Sequence, residues 1–430
     1  MKRQSGTFWT HFANLGIAAW LLTSHYALGY HSEPLSLSDT LSGFLVLFFG
    51  LFSFSKKGEN ISPWALALIG IWLQFAPLVF WAEESVIYLN DNLMGVLLIA
   101  FSILIPGIPN ENRSGFACIP KGWSYNPSSW PQRLPIIFFG TIGWFIARYL
   151  ASFELGYIDT VWDPFFHEGT IQVLTSSVSK QFPIADAGLG ALAYTLEVLM
   201  ACKGGEDRWC RMPWIVLGFG FLVVPLGLVS IILIILQPLV VGSWCSLCIF
   251  TALAMMVMIA LTIDEVMAAI GFLRESASKK ESLWSLFWRG KEDENSVVDL
   301  RTPSFSDSVI QIFFSMVWGV SIPWTLLLTA LLGIWLMMGP FYFGFDGGLA
   351  NSDHLLGALT VTFSILSMAE VLRTVRWILL PFGIWIALSP FFLEGSALWD
   401  HLLVGILLAI LAIHRGKIRE HYGRWQKYIC

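Results

Sequence analysis

Apolar stretches of about 20 residues recur along almost the whole chain, and no other feature limits its possible folds so severely. A hydrocarbon core about 30 Å thick is crossed by a helix of about 20 residues. Inside it every backbone N–H and C=O needs a partner within the protein, which a helix supplies. About twelve such stretches can be placed, at roughly 8–28, 37–54, 63–81, 92–108, 135–155, 186–202, 213–236, 241–263, 322–339, 353–371, 375–392 and 398–414. With 56% hydrophobic and 13% charged residues among 430, and a mean hydropathy of +0.68, a soluble domain is excluded. The expected class is all-α: a polytopic transmembrane helical protein in contact with membrane lipid. The 21 Trp residues read as an interfacial aromatic belt. No basic tract suggests nucleic acid.

The basic residues set an orientation. Taking the amino terminus as cytoplasmic places Lys2, Arg3, Lys56, Lys57, Arg113, Lys121, Arg133, Lys203, Arg208, Arg211 and every basic residue from Arg274 onward on the cytoplasmic side. Of the 25 Lys and Arg residues only Lys180 is left for an outer loop, and Arg148 lies within a span. Both termini are therefore expected inside, in what is expected to be a bacterial cytoplasmic membrane. The first stretch follows Lys2 and Arg3 as a signal peptide would, but it belongs to a repeat and is expected to be retained.

Three segments share one pattern: Gly70-Ile71-Trp72 with Pro77, Gly333-Ile334-Trp335 with Pro340, and Gly383-Ile384-Trp385 with Pro390. Gly16-Ile17 begins a weaker fourth copy. After each comes a loop and an acidic start to the next helix: Asp39 before Gly43, Asp91 before Gly95, Asp353 before Gly357, and Asp400-His401 before Gly405. The unit is a helical hairpin. The Pro is expected to end one helix, the Asp to cap the next, and the Gly to admit close helix contact. These hairpins resemble the SPW repeat of bacterial membrane proteins, with Ser389-Pro390-Phe391 nearest the signature tripeptide. Two hairpins precede the centre and two follow it.

The run Val241-Gly242-Ser243-Trp244-Cys245-Ser246-Leu247-Cys248 carries the chemistry. Cysteines at i and i+3 of a starting helix lie on one side, within disulfide reach, and the helix dipole favours thiolate there. Spacing alone leaves redox chemistry, half a metal site or packing open. A zinc ion would need about two further ligands, and the outer loops offer only scattered His25, His31 and His167, so no metal site is expected.

Cys245, Cys248 and Thr251, at the start of the last helix of a four-helix unit, look like the active site of the vitamin K epoxide reductase family. Leu189-Gly190-Ala191-Leu192-Ala193-Tyr194-Thr195-Leu196-Glu197 resembles the helix that walls that family's quinone pocket. Val173-Leu174-Thr175-Ser176 and Phe182-Pro183-Ile184 resemble its outer loop and half-helix. The resemblance implies a bundle passing electrons from thiols outside to a quinone of the menaquinone, ubiquinone or plastoquinone type. It implies Cys248 as the quinone-facing thiol that forms the transient adduct, Cys245 as the one exchanging with the donor, and Asp186, Gly190, Tyr194 and Thr251 at the quinone. Asp186 stands where the family commonly has a carbonyl-binding Asn. It would have to be protonated to donate that bond, or it caps the helix before Ala187.

The family's loop pair of cysteines is missing. Thr170 stands at the nearer position, and Cys118, Cys202, Cys210 and Cys430 all map to the cytoplasmic side. A thioredoxin-like protein or small thiol on the outer side must then reach Cys245 directly, and Trp162-Asp163-Pro164-Phe165-Phe166 reads as a lid or docking face. Arg148, Glu154 and Glu197 are expected to pair with one another.

The expected organisation is 1–110 repeat hairpins, 111–134 a cytoplasmic linker, 135–265 the reductase-like four-helix bundle, 266–305 a charged, partly disordered cytoplasmic linker, and 306–430 repeat hairpins. The expected function is that of a quinone-dependent thiol oxidoreductase. Its rival is a non-catalytic membrane scaffold or assembly factor that retains the bundle.

Overall fold

The computed structural model describes residues 8–105, 117–293, 296–393 and 397–429. Lys2, Arg3, Arg113, Glu294, Asn295 and Cys430, and the end of the expected 92–108 span, lie outside them. Seventeen α-helices run in order through the described residues. They are α1 (Trp9–Leu28), α2 (Glu33–Phe52), α3 (Gly58–Val79), α4 (Ser85–Ser102), α5 (Trp130–Glu154), α6 (Gly169–Thr175), α7 (Asp186–Cys202), α8 (Arg208–Arg211), α9 (Pro213–Leu236), α10 (Ser246–Ser278), α11 (Leu283–Arg289), α12 (Val309–Ser315), α13 (Trp324–Phe343), α14 (Gly348–Leu366), α15 (Leu379–Leu388), α16 (Leu398–Ile413) and α17 (Gln426–Ile429). Two-residue strands β1 (Cys118–Ile119) and β2 (Val297–Val298) pair antiparallel. Eight of the described helical segments are long and apolar enough to cross a membrane, and a bent pair, Gly169–Gln181 with Asp186–Cys202, makes a ninth if it is one span. The protein is a multi-pass helical membrane protein. Each of the twelve expected spans overlaps a helix, although α1, α14 and the 16-residue α16 are not among the eight.

The chain divides into two compact units. In the first, α1–α4 form two hairpins packed with residues 143–162 and α7. Leu21, Val46, Leu66, Leu73 and Leu98 fill its core. In the second, α13–α16 repeat the two-hairpin arrangement around Leu336, Ile386, Val404 and Leu408, beside α9 and α10.

Glycine permits the hairpins to close. A Cβ on Gly70 would stand 2.7 Å from the Gly95 carbonyl oxygen, one on Gly333 2.8 Å from that of Gly357, and one on Gly383 2.6 Å from that of Gly405. At Gly16 of the weaker copy nothing lies within 4 Å. The repeat tryptophans then brace one hairpin to its neighbour. Trp72 Nε1 donates to Ser38 Oγ at 3.0 Å and Trp20 Nε1 to Asn90 Oδ1 at 2.7 Å. Trp335 Nε1 donates to Asp400 Oδ1 at 3.0 Å and Trp385 Nε1 to Ser352 Oγ at 3.1 Å. These indoles therefore do more than line an interface.

Two local expectations need correction. The acidic residues are not helix caps: Asp39 and Asp91 are the seventh residues of their helices and Asp353 the sixth, because those helices begin one to two turns earlier, and Asp400 falls third in its own. Pro77 and Pro340 likewise lie in the last turn of their helices rather than after it. The reason is the same for both. A polar turn exposed to lipid is costly, so helical hydrogen bonding runs as far as the chain allows.

The charged linker is also more ordered than its composition suggests. Ion pairs and strand pairing tie its described residues to the rest of the second unit. Within the linker Lys291 Nζ donates to Glu281 Oε1 at 2.6 Å, and just before it Glu265 of α10 takes a two-pronged contact from the buried Arg208, Nε and Nη2 each at 2.6 Å. Cys118 pairs with Val298 across the small ladder, Trp123 bridges Tyr422, and Arg301 holds Glu420 at 2.5 and 2.7 Å. Burial pushes the Glu420 carboxyl up, but hydrogen bonds from Arg301 and Ser124 outweigh that and hold it below its ordinary value.

Gly357→Val is expected to lower the unfolding stability of the detergent-solubilised protein by about 2–4 kcal/mol through overpacking. Gly16→Ala should leave it within about 0.5 kcal/mol. Thermal unfolding of the two variants side by side checks both.

Candidate functional site

The site is built at the start of α10. The α9 helix ends in a π-helical turn, Gln237–Val241, after which Gly242 takes a positive φ of 73° and turns the chain toward Cys245. Gln237 is buried, and its Oε1 accepts the Cys245 amide at 3.0 Å. Cys245 is the N-cap of α10, and its sulfur accepts the Cys248 amide at 3.1 Å. The two cysteines are joined by a disulfide, with Cα atoms 5.3 Å apart. Cys245 is fully buried and Cys248 half-buried. One turn on, Thr251 Oγ1 donates to the Cys248 carbonyl at 2.9 Å. Cys118 and Cys210 are free thiols.

Asp163 fastens the preceding loop over this helix start. Its Oδ1 accepts the amides of Phe165 at 3.0 Å and Phe166 at 2.8 Å, as well as the Ser246 hydroxyl. Its Oδ2 accepts the Thr170 hydroxyl at 2.6 Å, the Thr170 amide at 3.1 Å and the Ser246 amide at 3.4 Å. Burial alone would push this carboxyl up. The donors from Ser246, Thr170, Phe166 and Phe165 outweigh it and hold Asp163 well below the usual carboxylate range. Phe166 stacks on Trp244, and Phe165 meets Phe250 edge-on. A side chain on Gly169 would overlap the Trp244 carbonyl oxygen. The fully buried Thr170 is thus a structural hydroxyl bound to Asp163.

Asp186, Gly190 and Tyr194 lie along α7, in the first unit. Tyr194 is buried and packs against Gly143. Its neighbour Thr195 takes the Trp144 indole N–H at 3.0 Å. Gly190 faces only an ordinary van der Waals neighbour, Ala147. Asp186 does not cap α7. Glu154 does, accepting the Ala187 amide at 3.1 Å, while the Glu154 and Asp186 carboxyls stand in hydrogen-bond contact with each other. The expected pairing of Arg148 with a carboxylate is not found. It donates to Tyr88 Oη at 2.8 Å and Gln74 Oε1 at 3.1 Å and lies over the Tyr88 and Trp144 rings. Glu197 is fully buried with both oxygens unpaired.

Among the described residues no group of three or more His, Cys, Asp or Glu side chains is placed to hold a metal ion. Residues 134–263 match the vitamin K epoxide reductase family, and residues 8–105 and 323–415 match the SPW repeat domain. The central segment is thus similar to that reductase family. The family is one of membrane thiol–disulfide oxidoreductases associated with quinone use. Comparison with curated proteins and with solved structures returns no match.

Sequence reasoning placed Asp163 only within a lid or docking face and Glu154 only as a pairing partner of Arg148 or Glu197, and it gave Ser246 and Gln237 no role. A readable signal existed only for Asp163, since an Asp before Pro with amides two and three residues on is the pattern of an Asx turn. Its grip on a helix 83 residues away leaves no such trace.

Removing the clamp is expected to expose the buried sulfur. In reduced protein, Asp163→Ala should raise the alkylation rate of Cys245 by about tenfold, the equivalent of about 1.4 kcal/mol in loop opening. A carboxyl whose folded value is depressed gives its full contribution above the unfolded value near 3.9 and loses it only as the pH falls through the folded one. Alkylation should therefore show no clamp-dependent change from about pH 8 to about pH 5 in the unaltered protein.

Proposed function

We propose that this protein couples oxidation of thiols on the outer side of the membrane to reduction of a membrane quinone, with Cys245 and Cys248 as the exchanging pair. The observation that carries the reading is the Cys245–Cys248 disulfide at the amino terminus of α10, inside the segment that matches the reductase family. A donor thiolate attacks the Cys245 sulfur and forms a mixed disulfide, and Cys248 leaves as thiolate. A second donor thiol resolves the mixed disulfide, so two thiols become one disulfide and the protein holds two reduced cysteines. A quinone of the menaquinone, ubiquinone or plastoquinone type accepts two electrons and two protons and thereby regenerates the Cys245–Cys248 bond.

Asp186, Gly190, Tyr194 and Thr251 are the residues proposed to hold the quinone, and Cys248 the thiol facing it. The donor is a thioredoxin-like protein or a small thiol that reaches Cys245 once the Asp163 loop opens. The arrangement proposed is a bacterial cytoplasmic membrane with both termini inside and the dithiol near the outer face. The reductase-like bundle spans 135–265, the linkers 111–134 and 266–305, and the repeat hairpins 1–110 and 306–430.

A second reading, a non-catalytic scaffold that keeps the bundle, is favoured by one observation. Thr170 stands buried and bound to Asp163 where a relay thiol would be needed, and Cys245 is enclosed. One experiment separates the two. Protein reduced with dithiothreitol and freed of it is mixed with a soluble quinone analogue, and thiols are counted by alkylation while quinol is followed by absorbance. Loss of both thiols with one quinol formed per protein is expected, and Cys248→Ser should slow the reaction by roughly 10³-fold or more. Thiols that persist in the presence of quinone would leave the scaffold.

A further inference from the structure

Counting back four residues from each hairpin's contact glycine gives Asp39, Asp91, Asp353 and His401. All four are fully or almost fully buried within the hairpins. In the first pair of hairpins Asp39 meets Asp91, and in the second Asp353 meets His401. Equivalent positions of two repeats thus face each other twice in one chain.

In the first pair each carboxyl has one oxygen supplied by protein donors. Asp39 Oδ2 accepts from Ser24 Oγ at 3.3 Å and Tyr30 Oη at 3.0 Å, and Asp91 Oδ1 accepts from Asn90 Nδ2 at 3.2 Å. The other two oxygens, Asp39 Oδ1 and Asp91 Oδ2, are buried and have no donor. Yet the two side chains are in hydrogen-bond contact. Carboxylates only accept, and the one hydrogen of the nearby Tyr30 hydroxyl is already given to Asp39 Oδ2, so contact between the two carboxyls requires a further hydrogen. The ionisable groups facing the pair are His25, Tyr30 and Tyr157, none of them a permanent cation.

In the second pair His401 Nδ1 faces the Ala397 carbonyl at 2.8 Å, and Nε2 faces both Asp353 oxygens at 3.0 Å. A neutral imidazole carries one N–H and can serve only one of these acceptors. Either the ring is doubly protonated or Asp353 is. The other charged group facing this pair is Asp400.

We propose that each hairpin pair is a proton-binding site, holding one proton between Asp39 and Asp91 in the first and one between Asp353 and His401 in the second. The bound proton completes the hydrogen bonding across each pair of hairpins. An acid–carboxylate pair carries one negative charge where two carboxylates would carry two, and an imidazolium–carboxylate pair carries none. A charge left unpaired in a bilayer interior is costly, so the proton and the packing of the hairpins are linked.

Infrared difference spectra of the full-length protein in lipid near neutral pH test the first site. Subtracting Asp39→Asn, and separately Asp91→Asn, from the unaltered protein should reveal the carbonyl stretch of one protonated carboxyl that shifts in deuterated water. Each Asn supplies an N–H in place of the proton and lets the remaining carboxyl ionise, so the fold is expected to persist. For the second site, nitrogen-15 spectra of labelled histidine should show His401 with both ring nitrogens protonated, or the infrared difference with Asp353→Asn should show a protonated Asp353. Absence of a protonated carboxyl at Asp39 and Asp91 overturns the first site, and a neutral His401 beside an ionised Asp353 overturns the second. A carboxyl band at the first site that emerges only when sodium is replaced by choline would make the occupant a sodium ion and also overturn the proposal.

Discussion

Inside a bilayer no water completes an unmet hydrogen bond, and most of this structure follows from that one constraint. Backbone groups meet it by staying helical, which is why the hairpin helices run past the positions where polar residues would have started or stopped them in a soluble protein. Side chains meet it by pairing across hairpins. The indole N–H groups of Trp20, Trp72, Trp335 and Trp385 each reach a polar atom on the neighbouring hairpin. Close approach at Gly70, Gly333 and Gly383 brings the helices near enough for packing to hold them where hydrophobic driving force is weak.

The same constraint shapes the dithiol region. A helix start is a cluster of unsatisfied N–H groups, and at α10 the Cys245 sulfur, Asp163 and Gln237 take up that need between them. Asp163 serves two segments at once, since it satisfies the helix start and the turn of its own loop. The loop therefore closes over Cys245 by hydrogen bonding rather than by bulk, with Phe165 and Phe166 adding ring contacts at its edge. Thr170, fully buried, contributes a hydroxyl to this closure.

Charge inside the hairpins and α7 is handled by sharing. Glu154 meets Asp186, Asp39 meets Asp91, and Asp353 meets His401, while Arg148 is taken up by neutral oxygens and aromatic faces. Ionic pairing of the ordinary kind is found instead where α10 leaves its apolar stretch, at Arg208 with Glu265 and at Arg301 with Glu420. Lys and Arg are plentiful there, and those side chains order a linker whose composition reads as loose.

The sequence by itself determined the helical membrane class, the four hairpins, the reductase-family segment and the adjacency of Cys245 and Cys248. Each of these is written in local terms: apolar length, the Gly-Ile-Trp repeat, and two cysteines one helical turn apart. Only the tertiary structure decided what the acidic residues do. Asp39, Asp91 and Asp353 look like caps because an Asp before a helix usually is one, and they proved to be interior because the helices start earlier. Asp163 looked like one residue of a lid or docking face and proved to hold that loop to α10. In each case the partner lies tens of residues away in the chain, and periodicity and spacing report only on neighbours along it.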